Sequence, residues 1–241
     1  MKSSILALAT RAADRLDLQR PATLFAAYNE GDTSDRKLLD AIHQTCEHLA
    51  ATYDWQCLQA QTAFDTLAQE MQNGLPLDFK RIVMGTVWNS TLRRPVPGPL
   101  DSREIAEAIS GAVGRIEPAF YIQGDAIYMR PAPPVDQSIV FTYIRDAVGD
   151  MGGVYIGAFS VPEHDAAVAL WHDDLVLAGT VLNYLRNAHD SYAQEELTFE
   201  RIKADHIKRD GGGRRLDMGG GARSADDMVQ RLKSSAIIIT A

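Results

Sequence analysis

A mixed α+β fold is what this 241-residue sequence predicts: a helical-bundle core, an inserted small antiparallel β subdomain and an extended C-terminal arm. Three observations point to it. Leu38, Leu39, Ile42, Cys46, Leu49, Ala50 and Tyr53 recur at three- and four-residue steps, the period of an amphipathic helix. Between about residues 73 and 145, β-prone runs alternate with turn residues. From Gly211 onward glycine triplets replace any apolar period. The implied organisation is residues 1–56 as the N-terminal helical part of the core, 57–160 as the β-rich insertion, 161–210 as the C-terminal helices and 211–241 as the arm.

In chain order, Ser4–Leu16 suits a first helix, and the stretch around Pro21–Ser34 reads as a loop. The helix over 35–53 follows, with Ser34 or Asp35 placed to cap its free amides. Phe120-Tyr121-Ile122 and Ala126-Ile127-Tyr128-Met129 flank Gln123-Gly124-Asp125, where glycine tolerates the positive φ of a tight turn, so a hairpin is predicted. Pro131, Pro133 and Pro134 lack amide donors and must end the second strand. Ser138–Ile144, rich in β-branched and aromatic residues, is expected to continue the hairpin as the third strand of a meander. Trp55 and Trp88 are expected to be buried where helical core and β subdomain meet.

Leu175, Ala178, Leu182 and Leu185 mark a helix over 172–188, whose early Asp173 and Asp174 suit the positive end of its dipole. Over 192–209, Glu195, Glu196 and Glu200 come early and Lys203, Lys208 and Arg209 late, the polarity of an outer, solvated helix. In the arm, five basic residues against three acidic ones give a formal +2, so residues 1–210 carry −10 of the −8 total. A flexible basic tether ending in Ile237, Ile238 and Ile239 is suited to docking on a partner. Arg214, Arg215 and Arg223 would pair with its acidic groups, while the isoleucines enter a groove or join a sheet edge.

Net charge and cysteine usage narrow the function classes. A net charge of −8 argues against a surface built to hold nucleic-acid phosphates. No apolar run approaches the roughly 18 residues of a membrane span, and Arg11, Asp14, Arg15 and Asp17 cut the first segment, so neither signal peptide nor anchor is expected. Cys46 and Cys57 read as reduced thiols.

The candidate chemistry is sparse. His43, Cys46 and His48 are spaced three and then two apart, which splits them between helix faces and leaves no tetrahedral metal site. His164-Asp165 and His172-Asp173-Asp174 carry acid–base side chains but no nucleophile motif, and are expected to be solvated helix-start residues. Glu195, Glu196 and Glu200 could form a glycosidase pair but fit a solvated face more simply. Gly211–Gly213 and Gly219–Gly221 lack the context of a phosphate loop. No catalytic residue, cofactor or metal is expected.

The ordered pieces have a familiar sequence. Tyr53-Asp54-Trp55 closes the long helix; Leu75-Pro76-Leu77-Asp78-Phe79-Lys80-Arg81, Val87-Trp88 and Arg94-Pro95-Val96-Pro97-Gly98-Pro99-Leu100 follow, then the Phe120–Pro134 hairpin and the Ile139–Ile144 strand. Over most of residues 35–210 this series resembles the head-to-tail adaptor, or tail accessory factor, family of short-tailed bacteriophages. It departs where the Gly-rich Gly149–Gly157 stretch replaces the aromatic-rich strand that the family usually places after Ile144. The resemblance implies a structural virion protein forming a ring, commonly dodecameric, beneath the portal protein. Such a ring would extend the DNA channel and hold the tail or nozzle protein, with genomic DNA passing through its lumen without specific binding. Alternatives are a peptidoglycan hydrolase-like tail accessory protein and a tail-tube or stopper component. The acidic body agrees with a lumen that repels phosphates, whose lining should then be acidic or neutral. The implied location is the virion's head–tail interface, with host cytoplasm during assembly and no membrane.

Overall fold

The first helix starts where a hydroxyl can hold it. Ser4 accepts the Ala7 N–H at 3.3 Å and caps α1, Ile5–Arg15, which buries Ile5, Leu8, Ala9, Ala12 and Ala13 along one stripe. The structure is a computed structural model, and it describes residues 2–25, 33–110, 117–160 and 162–211. Among these it is a mixed α+β fold with five α-helices and three antiparallel sheets. The predicted arm lies outside the described residues apart from Gly211.

The long second helix, α2, is Thr33–Thr52. It begins ahead of the predicted start, so Ser34 and Asp35 sit in its first turn rather than before it, with Asp35 at the positive end of the dipole. A short α3, Ser102–Ser110, was not predicted. Its signal is a reciprocal capping box: Asp101 Oδ1 accepts the Glu104 N–H at 2.7 Å and Glu104 Oε2 accepts the Asp101 N–H at 3.0 Å. The last two helices are α4, Asp173–Ala188, and α5, Ala193–Arg209, both within a residue of expectation. No described helix is long and apolar enough to cross a membrane.

The strands are β1 Gln59–Asp65, β2 Met71–Gly74, β3 Phe79–Ile82, β4 Trp88–Asn89, β5 Arg94–Pro95, β6 Ala119–Gln123, β7 Ala126–Arg130, β8 Ser138–Arg145, β9 Gly149–Met151, β10 Val154–Ile156 and β11 Val168–Ala169. The hairpin forms as predicted: β6 and β7 pair from Ala119↔Arg130 to Gln123↔Ala126 around Gly124, whose φ is 59°. The meander does not form. After the prolines, β8 leaves the hairpin and becomes the spine of a different sheet, with β1 on one edge and β3 and β4 on the other. Met71–Gly74 takes the vacated edge of β7. The physical reason lies in Pro131, Pro133 and Pro134, which have no amide to carry a ladder forward and let the chain swing away. The Gly149–Gly157 stretch is a second hairpin, β9–β10, with β11 on its far side.

Trp55 is buried as expected, and its indole N–H donates to the Leu49 carbonyl at 2.7 Å. Trp88 is not: it is 44% exposed. Alternation along β4 turns Asn89 inward, where its amide donates to Gln137 Oε1 at 2.8 Å, and that sends Trp88 outward. The second core tryptophan is Trp171, which joins Trp55, Ile5, Leu49 and Phe199 in the main apolar cluster. A second cluster, with Ile127, Met129, Ile139 and Phe141, fills the β part.

Helix α4 is the centre of the helical part, with every residue from Leu175 to Leu182 buried. A Cβ added at Gly179 would collide with Thr45 Cγ2 of α2 and Phe199 of α5. At an exposed helical site, replacing glycine with alanine should stabilise by roughly 1 kcal/mol. Gly179→Ala is expected to have the opposite sign, losing about 1–3 kcal/mol as three helices are forced apart. Urea unfolding checks this, and a gain in stability would contradict the packing.

Candidate functional site

All six residues predicted to bind the portal or a neighbouring subunit, Arg214, Arg215, Arg223, Ile237, Ile238 and Ile239, lie outside the described residues. What the structure does place are the candidate chemical groups and the surface.

The candidate ligands on α2 do not converge. His43 meets the edge of Phe159 with ring centroids 6.2 Å apart, Cys46 is buried in the main cluster, and His48 faces Phe199 at 6.1 Å. Among the described residues no three metal-ligating side chains come together. The cysteines are free, and both are held as thiols by burial, which pushes Cys57 up to about 11 and Cys46 higher still.

His164, Asp165 and Asp173 are not the solvated residues their sequence context suggests, whereas His172 and Asp174 are exposed as expected. His164 is buried in a 3-10 turn, Pro162–Ala166, and its Nδ1 accepts the Ser160 N–H at 3.0 Å. The Asp165 carboxylate accepts the Leu24 N–H at 3.1 Å and the Thr23 hydroxyl, holding the segment ahead of α2. Asp173 accepts the Ser3 N–H at 3.0 Å and the Ser3 hydroxyl, and Arg11 lies 3.3 Å away. Asp174 reaches across to α5, 3.0 Å from His206 Nε2, while the His206 ring stacks on His172 with centroids 4.8 Å apart. The three aspartates fasten segments distant in sequence, while the His164 bond is local. Glu196 and Glu200 do sit on an exposed face, bound to Arg186 at 2.5 Å and Lys203 at 2.6 Å.

The surface is more informative than the titratable groups. Of the thirteen large apolar side chains exposed among the described residues, eleven fall between Leu67 and Tyr155; only Tyr192 and Leu197 lie on the C-terminal helices. The β part therefore carries nearly all the apolar surface left uncovered. Scattered singly, such residues are normal; here most of them fall within one stretch of the sequence. Of these positions sequence reasoning addressed the burial of Trp88 alone, and assigned it to the core by its size. Strand alternation alone would have turned Trp88 out. No family model matches the chain, and no curated protein matches it.

Burial pushes the Asp173 and Asp174 carboxyls up, but the bonds from Ser3 and Arg11 to the first, and from His206 to the second, outweigh it and leave both below the ordinary carboxylate value. A group depressed in the folded state stabilises fully above its unfolded pKa of about 4 and loses that contribution as pH falls through the folded value. The melting temperature should therefore drop below about pH 4. Asp173→Asn should weaken the fold at pH 7 by about 1–3 kcal/mol and flatten the drop; an unchanged acid limb in that variant would contradict the assignment. Separately, neither Cys46 nor Cys57 should react appreciably with a chromogenic disulfide at neutral pH until urea unfolds the chain. Rapid labelling of the native protein would show a thiol less covered than described.

Proposed function

We propose that this chain is a structural virion protein, a head-to-tail adaptor that assembles into a ring beneath the portal, extends the DNA channel and provides the tail attachment site. The observation that carries the proposal is the concentration of exposed apolar side chains on the β part, between Leu67 and Tyr155. An assembling subunit needs such a surface and a monomeric enzyme does not. Three further features agree. The ordered motifs from Tyr53 to Ile144 resemble the adaptor family. Most of the strands fall between α2 and α4, as a β subdomain inserted into a helical-bundle core would. The −10 charge of residues 1–210 suits a lumen through which DNA slides without being held.

In this role the copies of the chain contact one another, the portal protein on one side and a tail or nozzle protein on the other. The arm, residues 211–241, is the portal-binding or neighbour-binding element. Arg214, Arg215 and Arg223 meet acidic groups, and Ile237, Ile238 and Ile239 supply apolar contact that repays the entropy of ordering. No residue is assigned a catalytic role. The protein belongs at the head–tail interface of the virion and in the host cytoplasm during assembly.

Native mass measurement, alone and on the portal, tests the assembly: a multiple of the 26.5 kDa chain, a dodecamer in the family's usual form, is expected in at least one condition. A single chain in both would overturn the proposal. Deleting Gly211–Ala241 should leave the far-ultraviolet spectrum of the body unchanged and weaken portal attachment at least tenfold; equal attachment of the truncated chain would remove the arm from the interface.

A further inference from the structure

Four stretches of chain that are distant in sequence converge on a cavity of about 190 Å³ in the helical part. They are the residues ahead of α1, those just after α2, those leading into α4, and the end of α5. Trp55, Leu170 and Leu175 give the cavity an apolar lining, and all three are buried. The ionisable groups of its wall include Lys2, His172, His206, Arg209 and Asp210.

Those groups do not balance one another. Asp210 is the carboxylate of the wall, and its Oδ2 already accepts the Gln56 N–H at 2.8 Å. Lys2 and Arg209 are cations at neutral pH. The Lys2 ammonium donates one proton to the Leu170 carbonyl at 2.5 Å, which leaves two. Arg209 has no ion pair or hydrogen-bond acceptor for its side chain among the described residues. His206 is matched by Asp174, 3.0 Å from its Nε2, and stacks on His172. With histidines counted as neutral, two cations against one carboxylate give the wall a formal +1, within residues 1–210 that carry −10.

A further donor belongs to the same wall. Trp171 is 3% exposed, and its indole N–H is buried with no acceptor. Trp55, beside it in the main cluster, has the Leu49 carbonyl for that purpose. A buried indole N–H normally finds a partner, and one that does not calls for a reason. An acceptor brought in by a ligand is such a reason. The cavity thus combines an apolar lining, two cations with unused donors and a buried donor that nothing in the chain satisfies.

We infer that this cavity binds a small monocarboxylate, its carboxylate held by Lys2 and Arg209 and accepting the Trp171 indole N–H, its short apolar body against Trp55, Leu170 and Leu175. Charge and size select that class. One negative charge neutralises the formal +1 of the wall, whereas a dianion such as phosphate would leave an uncompensated charge against buried indoles. Guanidinium and ammonium donors bind a carboxylate more strongly than they bind a neutral oxygen. The volume falls below the range of about 300–1,000 Å³ that drug-sized ligands occupy, so the body is a short chain. The site lies within one chain and does not depend on the adaptor role proposed above.

Isovalerate, a branched short-chain carboxylate, is the probe, and the indole N–H resonances are the readout. The full chain carrying Trp88→Phe keeps two of its three tryptophans, Trp55 and Trp171, both on the wall. Isovalerate at pH 7 should move the Trp171 resonance downfield as its N–H gains an acceptor, with half-saturation on the order of 1 mM. Isovaleramide, which keeps the shape and loses the charge, should bind at least about tenfold more weakly, and so should inorganic phosphate. Arg209→Gln and Lys2→Gln should each weaken isovalerate at least about fivefold. Arg201→Gln, exposed on α5 but off the cavity wall, should change nothing. Lys2 and Arg209 are exposed, so dichroism of the variants should match the parent; if Lys2→Gln misfolds, Arg209→Gln decides alone. Two indole resonances that stay still up to about 50 mM isovalerate, far above the expected half-saturation, overturn the site. So does an amide or a phosphate that binds as tightly as isovalerate, or an Arg209→Gln chain that binds it as the parent does.

Discussion

The helical part of this protein depends on one close approach. Helix α4 is covered on all sides from Leu175 to Leu182, and that is possible only if α2 and α5 come nearer to it than a side chain at position 179 would allow. Gly179 supplies the space. Thr45 fits against it from one side and Phe199 from the other; the Thr45 hydroxyl, turned to its own helix, also accepts a bond from the Asn183 amide at 2.9 Å. Around that contact the rest of the helical core is arranged, and α1 is drawn in by Ser3 and Lys2, which bond to Asp173 and to the Leu170 carbonyl. Packing of this kind transmits strain rather than absorbing it, so the helical part should move as a unit.

Strand β8 links this core to the β part. Its Ile144 belongs to the main apolar cluster, while Ile139 and Phe141 belong to the cluster of the β part. One short strand therefore has a foot in each core, with β1 alongside it over seven register pairs. Arg81 adds a second tie, donating to the carbonyls of Ala50 and Tyr53 and to the Asp54 carboxylate at the end of α2.

Much of this was legible in the sequence, for identifiable reasons. The helices α2, α4 and α5 announce themselves by period and by charge at their ends, and the β6–β7 hairpin by a glycine between two β-prone runs. The partner of β8 was not legible, because periodicity says which residues form a strand and not which strand they will meet. Prolines 131, 133 and 134 were correctly read as a stop, but a stop also frees the chain to leave. Trp88 was misplaced by treating size as proof of burial, when a two-residue strand with a buried Asn89 leaves it nowhere to go but out. Asp165 and Asp173 look solvated in the sequence because their partners, Thr23 and Ser3, are set by the fold and not by neighbours in sequence.

Thr66, buried just past β1, donates its N–H to the Gln137 carbonyl at 2.9 Å, and its hydroxyl accepts the Gln137 N–H at 3.0 Å and donates to the Pro134 carbonyl at 2.6 Å. Its bonds to Gln137 join residues 71 positions apart, and the whole β1–β8 ladder spans comparable or greater separations. Such pairings form slowly, since a large loop must close before any contact rewards it. The β6–β7 hairpin is local and can form early, leaving β1 and the more apolar β8 unpaired in the interval. In that interval strands from different chains could pair wrongly. The saturated hydrogen bonding of Thr66 gives the correct register a distinct end-point that a shifted ladder would leave unsatisfied.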